Sequence, residues 1–187
     1  MRHTKTIDIW ELIEFLRTRA APISDPVFGP GYRAAARLRD GLLLPCVTFR
    51  NPDATVDLAL RRFDETRGNT DLDPSVGYRA VATSFITRGS SVSADEIAAV
   101  EPSSFAIPES VLREALSRGE TSMGWTSFVG EMRDGKRFWF GTSWSADFFE
   151  MPDGYSGTDL VKVFPGQSLE GRCYCERPAF ECFIENL

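Results

Sequence analysis

An α+β fold, with an antiparallel sheet built from hairpins and covered by about three helices, follows from three observations on this sequence. Two alternating apolar runs meet at Asp134-Gly135 and two more at Asp40-Gly41, dipeptides suited to tight β-turns. Three other stretches space their apolar residues at the helical period. No strand–helix–strand unit recurs, which argues against a parallel sheet.

The first helix is expected over Ile9–Arg19, where Ile9, Leu12, Ile13 and Leu16 share a face and Asp8 with Glu11 forms a capping pair before Pro22 ends the run. Pro26 to Gly31 reads as a turn-rich connector. From Tyr32 to Phe49 the residue types favour helix while Arg39-Asp40-Gly41 favours a turn. A two-residue turn sets Leu38 opposite Leu43, Ala36 opposite Pro45, Ala34 opposite Val47 and Tyr32 opposite Phe49, leaving Arg33, Arg37 and Arg39 on the other face. That apolar face favours a hairpin over a short helix followed by one strand, and it requires an edge or bulge at Pro45.

Val56, Ala59, Leu60 and Phe63 predict a second helix over Thr55–Thr66, with Gly68 as its cap. Tyr78–Arg88 has strand character, and Ala94–Val100, after Ser93, is either a short helix or a strand. Pro108, Val111, Leu112, Ala115 and Leu116 give a third helix that stops before Gly119. The Trp125–Trp144 hairpin follows. With a two-residue turn, Gly130 opposes Trp139, Phe128 opposes Gly141, Val129 opposes Phe140 and Trp125 opposes Trp144; one more turn residue would change every pair. Leu160–Phe164 and Gly171–Ile184 supply short strands, the latter interrupted by Pro178. The two Arg-Asp-Gly turns read as shared hairpin chemistry rather than duplication.

A chain of 187 residues, 42% hydrophobic and 26% charged, is expected to form a single globular domain over 1–187. Its net charge of −6 repels nucleic acid and anionic membranes, so neither is expected as a partner, and another protein with a basic surface fits better. A membrane adaptor would need Arg33, Arg37 and Arg39 to form a local basic face. Asp8, Glu11 and Glu14 interrupt the amino-terminal apolar positions, and Leu42–Val47 is the longest apolar run, so a cytoplasmic protein is the expectation.

His3 is the single histidine, which removes the imidazole that Ser-His and Cys-His sites need. Gly141-Thr142-Ser143-Trp144-Ser145 lacks the second glycine of a nucleophile elbow, and neither phosphate-loop pattern occurs. Asn69, Asp71 and Asp73 begin like a calcium loop, but Pro74 stands where glycine is required. Cys173, Cys175 and Cys182 are the best metal candidates, yet one close pair falls short of a zinc pattern, and free thiols are the expectation. No metal or cofactor is expected, and no motif identifies an enzyme.

The hairpin aromatics are read as core. Beyond them, Trp144, Asp147, Phe148, Phe149, Glu150, Asp153 and Tyr155 place aromatic rings among acids, a composition suited to binding a basic protein. The chain is therefore read as a small acidic protein acting by protein contact, as an accessory, regulatory or toxin-neutralising factor. The alternative is an enzyme or small-ligand binder using carboxylates with Arg33 or Arg37.

Overall fold

A computed structural model of the chain describes residues 5–67, 90–143, 146–166 and 171–187. His3, the Gly68 cap, the calcium-like Asn69–Asp73 run, the Tyr78–Arg88 strand and Trp144 lie outside the described residues.

The fold is α+β. In chain order the elements are α1 (Ile9–Arg19), β1 (Ala21–Asp25), β2 (Gly29–Leu38), β3 (Leu43–Arg50), α2 (Asp53–Arg67), β4 (Ile97–Pro102), α3 (Glu109–Leu116), β5 (Thr126–Met132), β6 (Arg137–Thr142), β7 (Leu160–Pro165), β8 (Cys173–Cys175) and β9 (Phe180–Phe183). Asp8 caps α1 by accepting from the amides of Trp10 and Glu11. Ser93 begins a single 3-10 turn over Ala94–Glu96, and the chain then extends as β4 rather than continuing as a helix.

Two sheets result. The first has the order β1-β2-β3-β9, with β4 also paired to β2; the second has the order β7-β5-β6-β8. Hairpin pairs are antiparallel, whereas β9 joins β3 and β8 joins β6 in parallel.

Both hairpins turn through three residues, not two. The Leu38 amide donates to the Leu42 carbonyl and the Met132 amide to that of Lys136, with Gly41 at φ +94° and Gly135 at φ +87°. A type I turn followed by a left-handed glycine closes such a loop. The extra residue moves the second hairpin's register by one, so that Gly130 faces Phe138, Phe128 faces Phe140, Val129 faces Trp139 and Ser127 faces Gly141. Aromatic cover of the glycines survives with other partners. A Cβ on Gly141 would strike the Trp125 ring, and one on Gly130 would lie 2.6 Å from Leu160 Cδ1 and 2.8 Å from Phe140 Cε2. In the first hairpin Tyr32 faces Phe49 and Ala34 faces Val47 as expected, but Ala36 faces Leu44 and Arg37, not Leu38, faces Leu43, because a bulge at Pro45-Cys46 and the longer turn absorb the difference.

The likeness between the turns extends to whole halves. In each, a helix precedes a hairpin, a one-turn 3-10 helix (Ala94–Glu96 or Gly157–Asp159) leads into a strand antiparallel to the hairpin's first strand, and a parallel strand joins the second. The amides of Arg39 and Arg133 reach the carbonyls of Glu96 and Asp159 at matching places. The two halves thus share an order of elements, although β1 and α2 of the first have no counterpart among the described residues of the second.

Leu12, Ile13 and Leu16 of α1 pack on Ala34, Ala36, Val47, Phe49 and Cys182, one face of the first sheet. Leu112 and Ala115 of α3 pack with Phe128, Met132, Phe140 and Leu160 of the second, together with Ile23 from β1. A third group, Cys46, Ala106 and Phe148, lies at the other face of the first sheet. Both faces of that sheet are thus buried. No helix among the described residues is long and apolar enough to cross a membrane.

Candidate functional site

Strand alternation places Arg33, Thr48, Arg50 and Glu181 on the covered inner face of the first sheet, and none is more than 5% exposed. Arg33 faces Thr48, which in turn faces Glu181, so the three form a row across β2, β3 and β9. Gly31 faces Arg50 in the register, and a Cβ there would stand 2.9 Å from Arg50 Cγ. Glycine therefore admits both the Phe49 carbonyl oxygen, 2.7 Å from that Cβ, and the Arg50 side chain close over β2.

Arg33 donates through Nη1 to the Asp147 carbonyl at 2.9 Å, and through Nη2 to the carbonyls of Pro22 at 3.0 Å and Ile107 at 2.6 Å. It joins the first sheet to two segments that lie against both cores. Burial lowers its pKa to about 10, against the opposing pull of Asp147 and Glu109, so it stays cationic at neutral pH. Arg50 donates from Nη1 to the Gly29 carbonyl at 2.8 Å. Its Nη2 stands 3.9 Å from Asp25 Oδ2 and 3.6 Å from Asp147 Oδ2, while Nε is 3.5 Å from Glu181 Oε2. Thr48 Oγ1 donates to Asp147 Oδ2 at 2.9 Å. A buried arginine thus gathers carboxylates from β1, the segment after β6, and β9.

Asp25 and Asp147 also line a cleft of about 530 Å³ where the end of β1, α3 and the end of β6 meet. Glu109 and Glu120 add two carboxylates, Arg113 is the one cation among the described lining residues, and Ile23, Leu112 and Leu116 supply apolar wall. Asp25 Oδ1 accepts from the amides of Val27 and Phe28 at 2.8 and 3.0 Å, and Glu120 Oε2 accepts from that of Gly124 at 3.1 Å. Glu109 pairs with Arg113 at 2.9 Å, and a hydrogen bond from Ser24, followed by Arg113, holds its carboxyl below the ordinary value. Chemically the cleft offers fixed anionic acceptors beside a hydrophobic ledge.

The seven residues singled out in the sequence divide three ways, with Trp144 outside the described residues. Asp147 is in the cleft and over the arginines. Phe148 and Phe149 are each 0% exposed, so they are core rings and not surface anchors. Glu150, Asp153 and Tyr155 belong to another surface: Glu150 pairs with Arg172 at 2.7 Å, Asp153 is exposed, and Tyr155 donates to Asp134 Oδ2 at 2.6 Å while its ring packs edge-on to Phe138.

Of the arginines, Arg33 is buried while Arg37 and Arg39 are exposed, so the three share no basic face. Ser143 is tied by its amide and hydroxyl to Glu176 at 2.7 and 2.8 Å. Cys182 sits in the first core, whereas Cys173 and Cys175 lie half-buried on β8 in the other sheet, so the three thiols do not converge. No group of three or more histidine, cysteine or acidic side chains among the described residues could hold a metal ion.

Sequence reasoning missed Asp25, Arg50, Glu109 and Glu120. The signal for Arg50 was present: a charged residue ending the apolar run of β3, two positions from Thr48, demands a buried partner. The three acids carry no such signal, since their convergence depends on how α3 meets β1. No family model, curated protein or solved structure matches the chain.

Proposed function

We propose that this protein acts by contact with another protein, receiving a basic, partly apolar segment of its partner in the acidic cleft. An accessory, regulatory or toxin-neutralising role in the cytoplasm fits that mode of action. One observation carries the reading: Asp25, Glu109, Glu120 and Asp147, from separate parts of the chain, open on one cleft beside Leu112 and Leu116. Lysine or arginine stems lie along such a ledge while their charged ends meet carboxylates.

The test uses a labelled synthetic peptide of interspersed lysine and leucine, with a glutamate–leucine peptide as control. Binding to the cationic peptide is expected to weaken about tenfold or more in Glu109→Gln/Glu120→Gln, and to fall steeply as salt rises. Equal binding of both peptides, or no effect of the double substitution, sinks the reading.

The cleft's size, about 530 Å³, also suits a small ligand, the second reading, in which carboxylates and arginines serve a small cationic compound or its chemistry. Replacing the peptide's leucines by serine separates the two. Protein contact requires the apolar half and loses binding; a site for a small cation keeps it.

A further inference from the structure

We propose that Arg50 is the positioning residue of the cleft: from beneath, it fixes Asp25 and Asp147 in the places from which they meet a cationic partner. The inference rests on the cleft being the recognition site. Arg50 is 1% exposed, and it does not line the cleft. Its Nη2 lies within ion-pair distance of both lining carboxylates, at 3.9 and 3.6 Å, and makes no hydrogen bond of its own. Its Nη1 is committed to the Gly29 carbonyl at 2.8 Å and its Nε faces Glu181. The guanidinium is thus held by one hydrogen bond at Nη1 and an ion pair at Nε, and its third side presents a positive charge to acids from two different segments. A lysine at this position has one charged nitrogen and cannot hold all these places at once.

Charge alone and positioning predict opposite signs. Arg50→Met removes a cation close to the cleft carboxylates, so a pure Coulomb account predicts tighter binding of a cationic peptide, and Arg50→Lys should change nothing. Positioning predicts weaker binding in both, by about tenfold or more. The measurement pairs titration of the lysine–leucine peptide with hydrogen exchange on wild type, Arg50→Lys and Arg50→Met. In Arg50→Lys, amides of Ile23, Ser24, Asp25, Val27 and Phe28 and of residues 147–150 are expected to exchange about tenfold or more faster, with those of β5 and β6 unchanged.

Unchanged protection around Asp25 and Asp147, or faster exchange spread evenly through both sheets, overturns the proposal. So does peptide binding that is unaltered in Arg50→Lys or strengthened in Arg50→Met. If Arg50→Met does not fold, Arg50→Lys alone decides. If wild type does not bind the peptide, the recognition reading fails, while the exchange pattern still decides whether Arg50 fixes the two segments.

Discussion

Phe148 and Phe149, adjacent in sequence, point into different cores. Phe148 packs with Cys46 and Ala106 against the first sheet, and Phe149 packs with Phe128 and Phe140 of the second, 5.7 and 6.2 Å between ring centroids. Their segment is held by hydrogen bonds to Phe105, Cys175 and Arg177, so an extended stretch pins the two halves together. Phe148→Ala and Phe149→Ala should each cost roughly 3 to 5 kcal/mol in urea unfolding. Glu150→Gln, which alters only a surface ion pair, should stay within about 1 kcal/mol of wild type.

Arg33 ties the same seam from the first sheet. Arg33→Ala leaves the carbonyls of Asp147, Pro22 and Ile107 without this donor and should cost roughly 3 to 5 kcal/mol. Arg33→Lys keeps the charge but not the forked geometry, and should fall between alanine and wild type by the same denaturation assay.

Two glycines separate tight backbone packing from tight side-chain packing. A Cβ at Gly157 would collide with the backbone carbonyl of Ala106, whereas one at Gly130 meets the ends of Leu160 and Phe140. Both alanine variants should lose stability by roughly 1 to 3 kcal/mol, with Gly157→Ala at the upper end or beyond because a main chain yields less than a side chain. Thermal melts of the pair suffice, and the reverse ranking would contradict the packing described.

Gly41 and Gly135 hold the same left-handed position in equivalent turns, with nothing within 4 Å of an added Cβ. Substitution by alanine therefore reports backbone conformation alone. Each should cost roughly 1 to 2 kcal/mol, and the two losses should agree closely.

Burial pushes the Cys46 thiol up from 9.0 to about 11 and the Cys182 thiol to about 12. A group whose folded pKa lies above its unfolded value holds more protons when folded. Its stabilisation is complete below about pH 9 and is lost as pH climbs through the folded values. Unfolding free energies from urea titrations should therefore fall between about pH 9 and 11, by up to roughly 2 to 3 kcal/mol for each thiol, and Cys182→Ala should flatten part of that decline.

The hairpins and the three helices among the described residues were legible because periodicity, caps and turn residues are local signals, and Pro45 called for either an edge or a bulge. The first helix, Ile9–Arg19, is found over the same residues. The second hairpin's register was not legible: Asp-Gly suits both two- and three-residue turns, and Gly135 at φ +87° serves the longer one. The site was legible only at Asp147 and Arg33. An aromatic pair beside acids has the same composition whether the rings face solvent or two cores, and only the tertiary contacts of Phe148 and Phe149 distinguish the cases. Strand alternation groups Arg33 with Arg37 and Arg39, because it assigns sides of a strand without saying which stretch of that side is covered.

The short run from Cys173 to Phe183 supplies the last strand to both sheets, first β8 beside β6 and then β9 beside β3. Until that stretch is in place, β3 and β6 each keep an open edge, the condition in which chains adhere to one another. One stretch thus closes both sheets, and its loss would open both edges at once.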